Sequence, residues 1–228
     1  MVAAARRYKG GANMTASVFK IIAMLTMLID HIGMVLLPDV VILRIIGRLA
    51  FPIFAYFVAE GCLHTSNIKK YLLRMSICAA AFQVVQWFVC KTWTPSVVWT
   101  YALAVLFVII HKWAKQKWNV RFIIPAFYAV IISLLLFLIR ADYYCFGFLF
   151  IIAAYLMHKW WIKWIPMALC LFFAGFFFAN QFWALLTIPI LMLYNGKPDT
   201  LKLGKILYYF YPLHLLLLGV IQYVVSIR

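Results

Sequence analysis

The sequence predicts an all-α fold: a polytopic transmembrane helical bundle of about nine spans, with its N-terminus cytoplasmic. Three observations carry this expectation. The chain of 228 residues is 68% hydrophobic with a mean hydropathy of +1.02, whereas a soluble domain is ~45–50% apolar. Apolar runs of membrane-spanning length recur from residue 17 to the C-terminus. Lysine and arginine gather in alternate connections between those runs.

The spans are expected at 17–37, 41–63, 71–90, 96–111, 121–139, 144–158, 163–179, 182–195 and 205–226. Residues 1–16 are polar and basic, and the apolar run after them is long enough to span rather than be cleaved as a signal peptide. Residues 1–13 carry no weight, because Met14 can serve as a start. Residues 17–228 are read as a single membrane domain. The first two spans form a hairpin turned at Pro38-Asp39, so they are adjacent and antiparallel. Spans seven and eight are short and share the break FANQFW, which leaves one of them open to being re-entrant or tilted.

Orientation follows from the loop cations. Arg6, Arg7, Lys9 and Lys20 precede or open span 1. Lys69, Lys70, Arg74, Lys112, Lys115, Lys117, Arg121, Lys159, Lys163, Lys197, Lys202 and Lys205 fall in every second connection after it, and the alternate connections and C-terminus hold only Lys91, Arg140 and Arg228. The positive-inside rule then puts the N-terminus in the cytoplasm and the C-terminus outside. The net charge of +16 is read as topological signal and contact with anionic lipid headgroups, not as a nucleic-acid surface. The aromatic pieces such as KWWIKW are read as interface anchors.

Five cysteines, Cys62, Cys78, Cys90, Cys145 and Cys170, show no CxxC pair or ligand spacing and are read as packing residues. Cys90 and Cys145 share the outer side, which admits a disulfide between them. The five histidines form no metal motif, and no metal is predicted.

The hairpin 25–61 places Asp30, His31, Arg44, Arg48 and Glu60 inside an apolar background. Each is a group that a bilayer rejects at ~2.5–3.5 kcal/mol, and such groups are functional by default. At ~1.5 Å rise per residue, His31 and Arg48 both lie roughly 10 Å below the outer surface, whereas Glu60 lies at the cytoplasmic end of its span. Arg44 and Arg48 share one helix face. Pro52 cannot bond the Arg48 carbonyl, so a kink is expected there. An Arg48–Asp30 pair holding two helices is one reading. The other is a guanidinium clamp for an anion or oxyanion. Adjacent helical residues point about 100° apart, so Asp30 is expected to pair with an arginine and leave His31 to another partner. His31 is the leading candidate base, because neutral imidazole takes a proton near pH 7.

The last span brings a second cluster, KILYYFYPLHLLLLG, with Tyr211 and His214 on one face. Pro212 frees the Tyr208 carbonyl. A ring at mid-membrane, as for His214, needs a partner or a wet cavity. Asp142 falls at the outer mouth before span 6, and Gln83, Gln86, Asn180 and Gln181 are equally readable as a polar path or as interhelical hydrogen bonds.

Five stretches, FKIIAMLTMLIDHIG, LRIIGRLAFPIFAYFVAEGCLHTSNIKKYLLR, ADYYCFGFLFI, LYNGKP and YYFYPLHLLLL, give a resemblance covering about residues 19 to 218. In them the chain resembles the TraX family, named for a membrane protein linked to N-terminal acetylation of conjugative pilin. Tyr144 stands where the family typically has a glycine. The family looks related to the wider transmembrane acyltransferases. The resemblance implies acetyl-CoA as donor substrate, His31 as acyl-transfer histidine with Asp30, Arg48 and His214 as further catalytic residues, and Arg44, Glu60, Asp142 and Tyr211 binding substrate around them. The expected partners are acetyl-CoA, an acceptor that the sequence does not name (pilin-like amine, glycan hydroxyl or secreted metabolite), membrane lipids and, as an open alternative, a second copy of the chain. No nucleic acid is expected. The competing function is a proton-coupled or anion transporter using Asp30, His31 and Arg48, although the sequence shows no repeated halves.

Overall fold

The structure, a computed structural model, describes residues 14–117, 123–159, 161–177, 179–197, 201 and 203–227. The basic segment 1–13, with Arg6, Arg7 and Lys9, and the loop cations Arg121, Lys202 and Arg228 lie outside the described residues. Within them the chain is a bundle of α-helices with no named strand.

Ten α-helices follow one another among the described residues: α1 (Ala16–Val35), α2 (Val41–Gly47), α3 (Ala50–His64), α4 (Ile68–Cys90), α5 (Val97–Lys117), α6 (Ile123–Leu138), α7 (Tyr144–Leu156), α8 (Trp164–Gly175), α9 (Thr187–Met192) and α10 (Gly204–Ser226). Five stretches are long and apolar enough to cross a membrane: α1, α2 with α3, α4, α5 and α10. Shorter apolar segments at Ile123–Leu138, Tyr144–Leu156, Trp161–Gly175 and Asn180–Met192 fall in the remaining predicted spans. The FANQFW break is a 3-10 segment, Ala179–Leu186, leading into the six-residue α9. The loop charges predict that tags on the two termini are accessible from opposite sides. Cysteine labelling of sealed vesicles checks this, and both tags on one side would remove the nine-span orientation.

The expected second span is present as one stretch, Val41–His64, with its helix interrupted between α2 and α3. Arg48 and Leu49 donate their amides in tight i−3 fashion to Ile45 (3.1 Å) and Ile46 (3.2 Å), between α2 and α3. The break falls one turn before Pro52, whose missing N–H leaves the Arg48 carbonyl without its ladder donor. In α10, Pro212 similarly frees the Tyr208 carbonyl, and the Cys78 thiol lies 3.6 Å from it as donor. All five cysteines are free thiols, so the Cys90–Cys145 disulfide admitted by the sequence is not formed.

The core is an aromatic-rich column on α3, α5 and α7. Phe19, Ile53, Phe148, Phe150 and Ile151 are fully buried. Large apolar side chains such as Leu73, Ile77, Phe127, Leu134 and Leu217 face outward, as lipid contact requires. Lys163, counted among the loop cations, is only 6% exposed. Its ammonium donates to the Tyr56 hydroxyl at 2.9 Å and lies 4.9 Å from the centre of the Tyr56 ring and 4.7 Å from that of Trp164. A long apolar stem lets lysine sink into the bundle while aromatic faces stabilise its charge.

Candidate functional site

The first hairpin closes tightly because two glycines permit it. A Cβ at Gly33 would lie 2.8 Å from the Leu43 Cβ, and one at Gly47 would collide with the Asp30 side chain. The Asp30 carboxylate therefore sits directly against the backbone of α2. Gly47→Ala is expected to destabilise the protein by about 1–3 kcal/mol through overpacking and to displace this carboxylate. Thermal unfolding in detergent measures the first effect.

That position makes Asp30 the centre of a two-arginine clamp. Arg44 Nη1 donates to Oδ2 at 2.7 Å and to the Asp30 carbonyl at 3.1 Å, and Arg48 Nη2 donates to Oδ1 at 2.7 Å. Arg48 also donates through Nε to the Arg44 carbonyl (3.1 Å) and through Nη1 to Gln181 Oε1 (3.4 Å). Gln181, fully buried, thereby ties the FANQFW break to the hairpin. All three nitrogens of Arg48 are engaged within the protein. Arg44 uses Nη1 alone among the contacts seen, and its side chain is the more exposed of the two (29% against 14%). In this pairing one carboxylate serves two guanidiniums. The pairing that holds α1 to α2 is thus present, and the donors left for a ligand belong chiefly to Arg44.

His31, turned away from Asp30 by the helical twist, meets α10. Its Nδ1 lies 2.6 Å from His214 Nε2, and His214 Nδ1 lies 2.6 Å from the Phe210 carbonyl. A carbonyl only accepts, so Nδ1 of His214 carries a proton. The Phe210 and His214 rings stack at 4.8 Å, and Phe82 flanks His31. His214 is 5% exposed.

A cavity of about 280 Å³ opens beside this pair. Asp30, His31, Arg44, Arg48, Asp142 and Tyr211 all line it, together with Gln86, Thr92 and Thr94. Thr92 and Thr94 of the α4–α5 connection and Asp142 and Tyr143 of the α6–α7 connection line it, and these connections lie on the side that the loop charges assign to the outside. Gln83 bonds the Thr94 carbonyl and the Ser96 amide, which folds the first connection over the helix ends. The second connection holds Arg140, Tyr143 and Tyr144 at φ of 52°, 62° and 48°. L-residues adopt that region reluctantly, which is why a glycine suits the Tyr144 position. Tyr144 is held by packing on Phe137 and Phe177, and Tyr143 stacks on Phe51 at 3.7 Å. Asp142, read as a loop residue at the mouth, reaches the cavity itself. Burial pushes its carboxyl up to about 6, against the Val97 amide and the charges of Arg48 and Arg44, which hold it down. The Tyr211 hydroxyl pairs with that of Tyr101, which in turn donates to the Phe51 carbonyl at 3.3 Å.

Glu60 does not join the cavity, and its grouping with His31 is corrected. Thirteen residues separate it from Gly47, so at ~1.5 Å per residue it lies about 20 Å along the helix. There its carboxylate faces His64 at 3.7 Å. Gly47, Gln181 in its bond to Arg48, and the His31–His214 contact are the parts that pattern reading missed. The small residue one position before Arg48 was the available signal for the first.

The family described as TraX protein matches residues 15–222. The chain is similar to an uncharacterised protein of Rickettsia prowazekii (strain Madrid E), 53% identical over 38 residues, which is 17% of this chain and 15% of that protein. It is also similar to the probable fimbrial assembly protein FimC, serogroup H1, of Dichelobacter nodosus, 36% identical over 67 residues, or 28% of each chain. These matches span well under two thirds of either relative. No solved structure matches.

Proposed function

The chain belongs to the TraX family, and on that premise we propose that it is an integral-membrane acetyltransferase. It moves an acetyl group from cytoplasmic acetyl-CoA to an amine or hydroxyl acceptor that enters from the outer side. The observation that carries the reading is a histidine in a cavity that Arg44 and Arg48 also line. The name of the Dichelobacter relative favours an acceptor in pilus or fimbrial assembly, with a pilin-like amine as the first candidate.

In this reading the acceptor attacks the thioester carbonyl while its proton passes to His31 Nε2. The new bond to carbon forms as the carbonyl π pair moves to oxygen. The Arg44 guanidinium, with donors to spare, stabilises that oxyanion. When the oxyanion re-forms the carbonyl, the C–S bond breaks and the thiolate takes the proton back from His31. Arg48 and Asp30 hold Arg44 in place. Asp142 and Gln86 at the mouth orient the acceptor. Such a division of roles is favourable, because a guanidinium already paired on one side loses little on binding and still presents its fork.

Arg44→Leu is expected to lower turnover by about 10²-fold or more, with acetyl-CoA binding changed far less; single-turnover kinetics check this. The reading itself is tested with labelled acetyl-CoA and purified protein in proteoliposomes. Protein-dependent release of CoA, and an acetylated acceptor found by mass spectrometry only in cells that contain the protein, are the expected results. Proton or anion flux without CoA release would replace the enzyme by the transporter.

A further inference from the structure

We propose that His214 is a positioning residue that fixes the tautomer of His31 and so aims the Nε2 lone pair of His31 into the cavity. The proposal rests on the acetyl-transfer reading for its catalytic consequence and on geometry alone for the tautomer.

The chain of hydrogen bonds has one direction. The Phe210 carbonyl accepts from His214 Nδ1 at 2.6 Å. A neutral His214 then has its lone pair on Nε2. That nitrogen faces His31 Nδ1 at 2.6 Å, so Nδ1 of His31 must carry the proton of this bond. The only lone pair left on a neutral His31 is on Nε2, and no described residue bonds that nitrogen. In free imidazole side chains the proton prefers Nε2, which would hide the base. His214 reverses that preference through its own carbonyl anchor, the arrangement by which an outer partner sets which histidine nitrogen reacts.

Electrostatics favour neutral rings in this pair. Asp30 carries one negative charge against Arg44 and Arg48 on the neighbouring faces of α1 and α2. Even with the Asp142 carboxylate of the α6–α7 connection counted against the second arginine, an imidazolium at His31 or His214 would add a positive charge with no carboxylate left to balance it. From α4, Phe82 lies against the His31 ring and Gln86 lines the cavity beside it, and neither supplies a counter-charge.

The sequence context of α10 agrees. Pro212 sits between Phe210 and His214, and the 210 carbonyl is one turn before the histidine. His214 thus anchors to its own helix and spends its other nitrogen across the interface to α1. It reaches no substrate in this arrangement and acts through His31.

The test uses full-length protein with nitrogen-15 histidine in nanodiscs. His31 and His214 signals are assigned by single substitution. In the wild type His31 is expected as the Nδ1–H tautomer. A glutamine side chain has an acceptor oxygen at a similar reach, so His214→Gln should keep that tautomer. His214→Leu, similar in bulk and without an acceptor, should return His31 to Nε2–H. In the acetylation assay His214→Leu is expected to lose about 10–100-fold in kcat, the scale for removing an outer partner, at unchanged KM for acetyl-CoA. His214→Gln should recover most of that loss. An Nε2–H or doubly protonated His31 in the wild type overturns the proposal, and so does equal impairment of the Gln and Leu variants. A wild type that forms no acetyl product removes the acetyl-transfer reading, while the spectrum still decides the tautomer.

Discussion

His31→Ala is expected to abolish acetyl transfer while leaving the bundle folded and able to bind acetyl-CoA. The ring lies between α1 and α10, and among the described residues its side chain bonds only His214. Its removal opens space at the edge of an existing cavity and leaves one acceptor, His214 Nε2, which water entering the cavity can satisfy. The fold therefore loses about 1–3 kcal/mol, the cost of one buried unsatisfied group at most. The chemistry loses its base. General base catalysis contributes typically ~10²–10⁴-fold; Arg44 and Arg48 stay protonated and Asp30 is held by both, which leaves Asp142 as the other carboxylate lining the cavity. Product formation by mass spectrometry, paired with a binding isotherm for acetyl-CoA, checks both halves. Normal transfer by a folded His31→Ala protein would move the site away from this hairpin.

Asp30→Ala is expected to have the largest effect on the fold. Its carboxylate is the common partner of two guanidiniums inside the bundle. Removing one member of a buried charge pair costs about 3–5 kcal/mol, because the remaining charge stays behind without compensation. Here two charges stay behind, four residues apart on one face, and they repel. Asp30→Asn keeps an acceptor for one arginine at nearly the same volume and should be milder. Thermal unfolding in detergent gives the order wild type, Asn, Ala. Double substitution of Asp30 and Arg44, leaving one guanidinium, should be more stable than Asp30→Ala alone. If the double variant is no better than the single one, charge compensation is not what Asp30 supplies.

How much of this was legible in the sequence depended on distance along the chain. The hairpin was readable because Pro38-Asp39 makes Asp30 and Arg48 neighbours by arithmetic: equal numbers of residues on either side of a turn give equal depth. The separation of Asp30 from His31 followed from the 100° step of the helix. The depth of Glu60 followed from the same arithmetic, yet the family resemblance grouped it with His31. The structure sides with the arithmetic. What no period or spacing contains is which distant helix packs on which. The His31–His214 bond joins positions 183 apart, and the alternation of spans says nothing of lateral order. Donor accounting was likewise out of reach. Arg44 and Arg48 look equivalent as letters, and only the engagement of Gln181 and the Arg44 carbonyl shows that Arg48 is occupied. Lys163 shows the same limit: its place beside a loop was legible, while its aromatic neighbours from α3 and α8 were not.

The cavity and the packed column below it also divide the transmembrane voltage. A water-filled cavity reaching the side assigned as outer would bring the bulk potential of that side down to the Asp30 cluster. The electric field is then concentrated across the dry half filled by Phe19, Phe54 and Phe148. A unit charge carried through that half works against or with about 2.3 kcal/mol per 100 mV. With the cytoplasm negative, an anion moving outward to His31 is helped and a thiolate returning is hindered, unless it travels back as the neutral thiol. In the acetyl-transfer reading, a donor sulfur that leaves as the neutral thiol would escape this electrical cost, and one that leaves as thiolate would bear it.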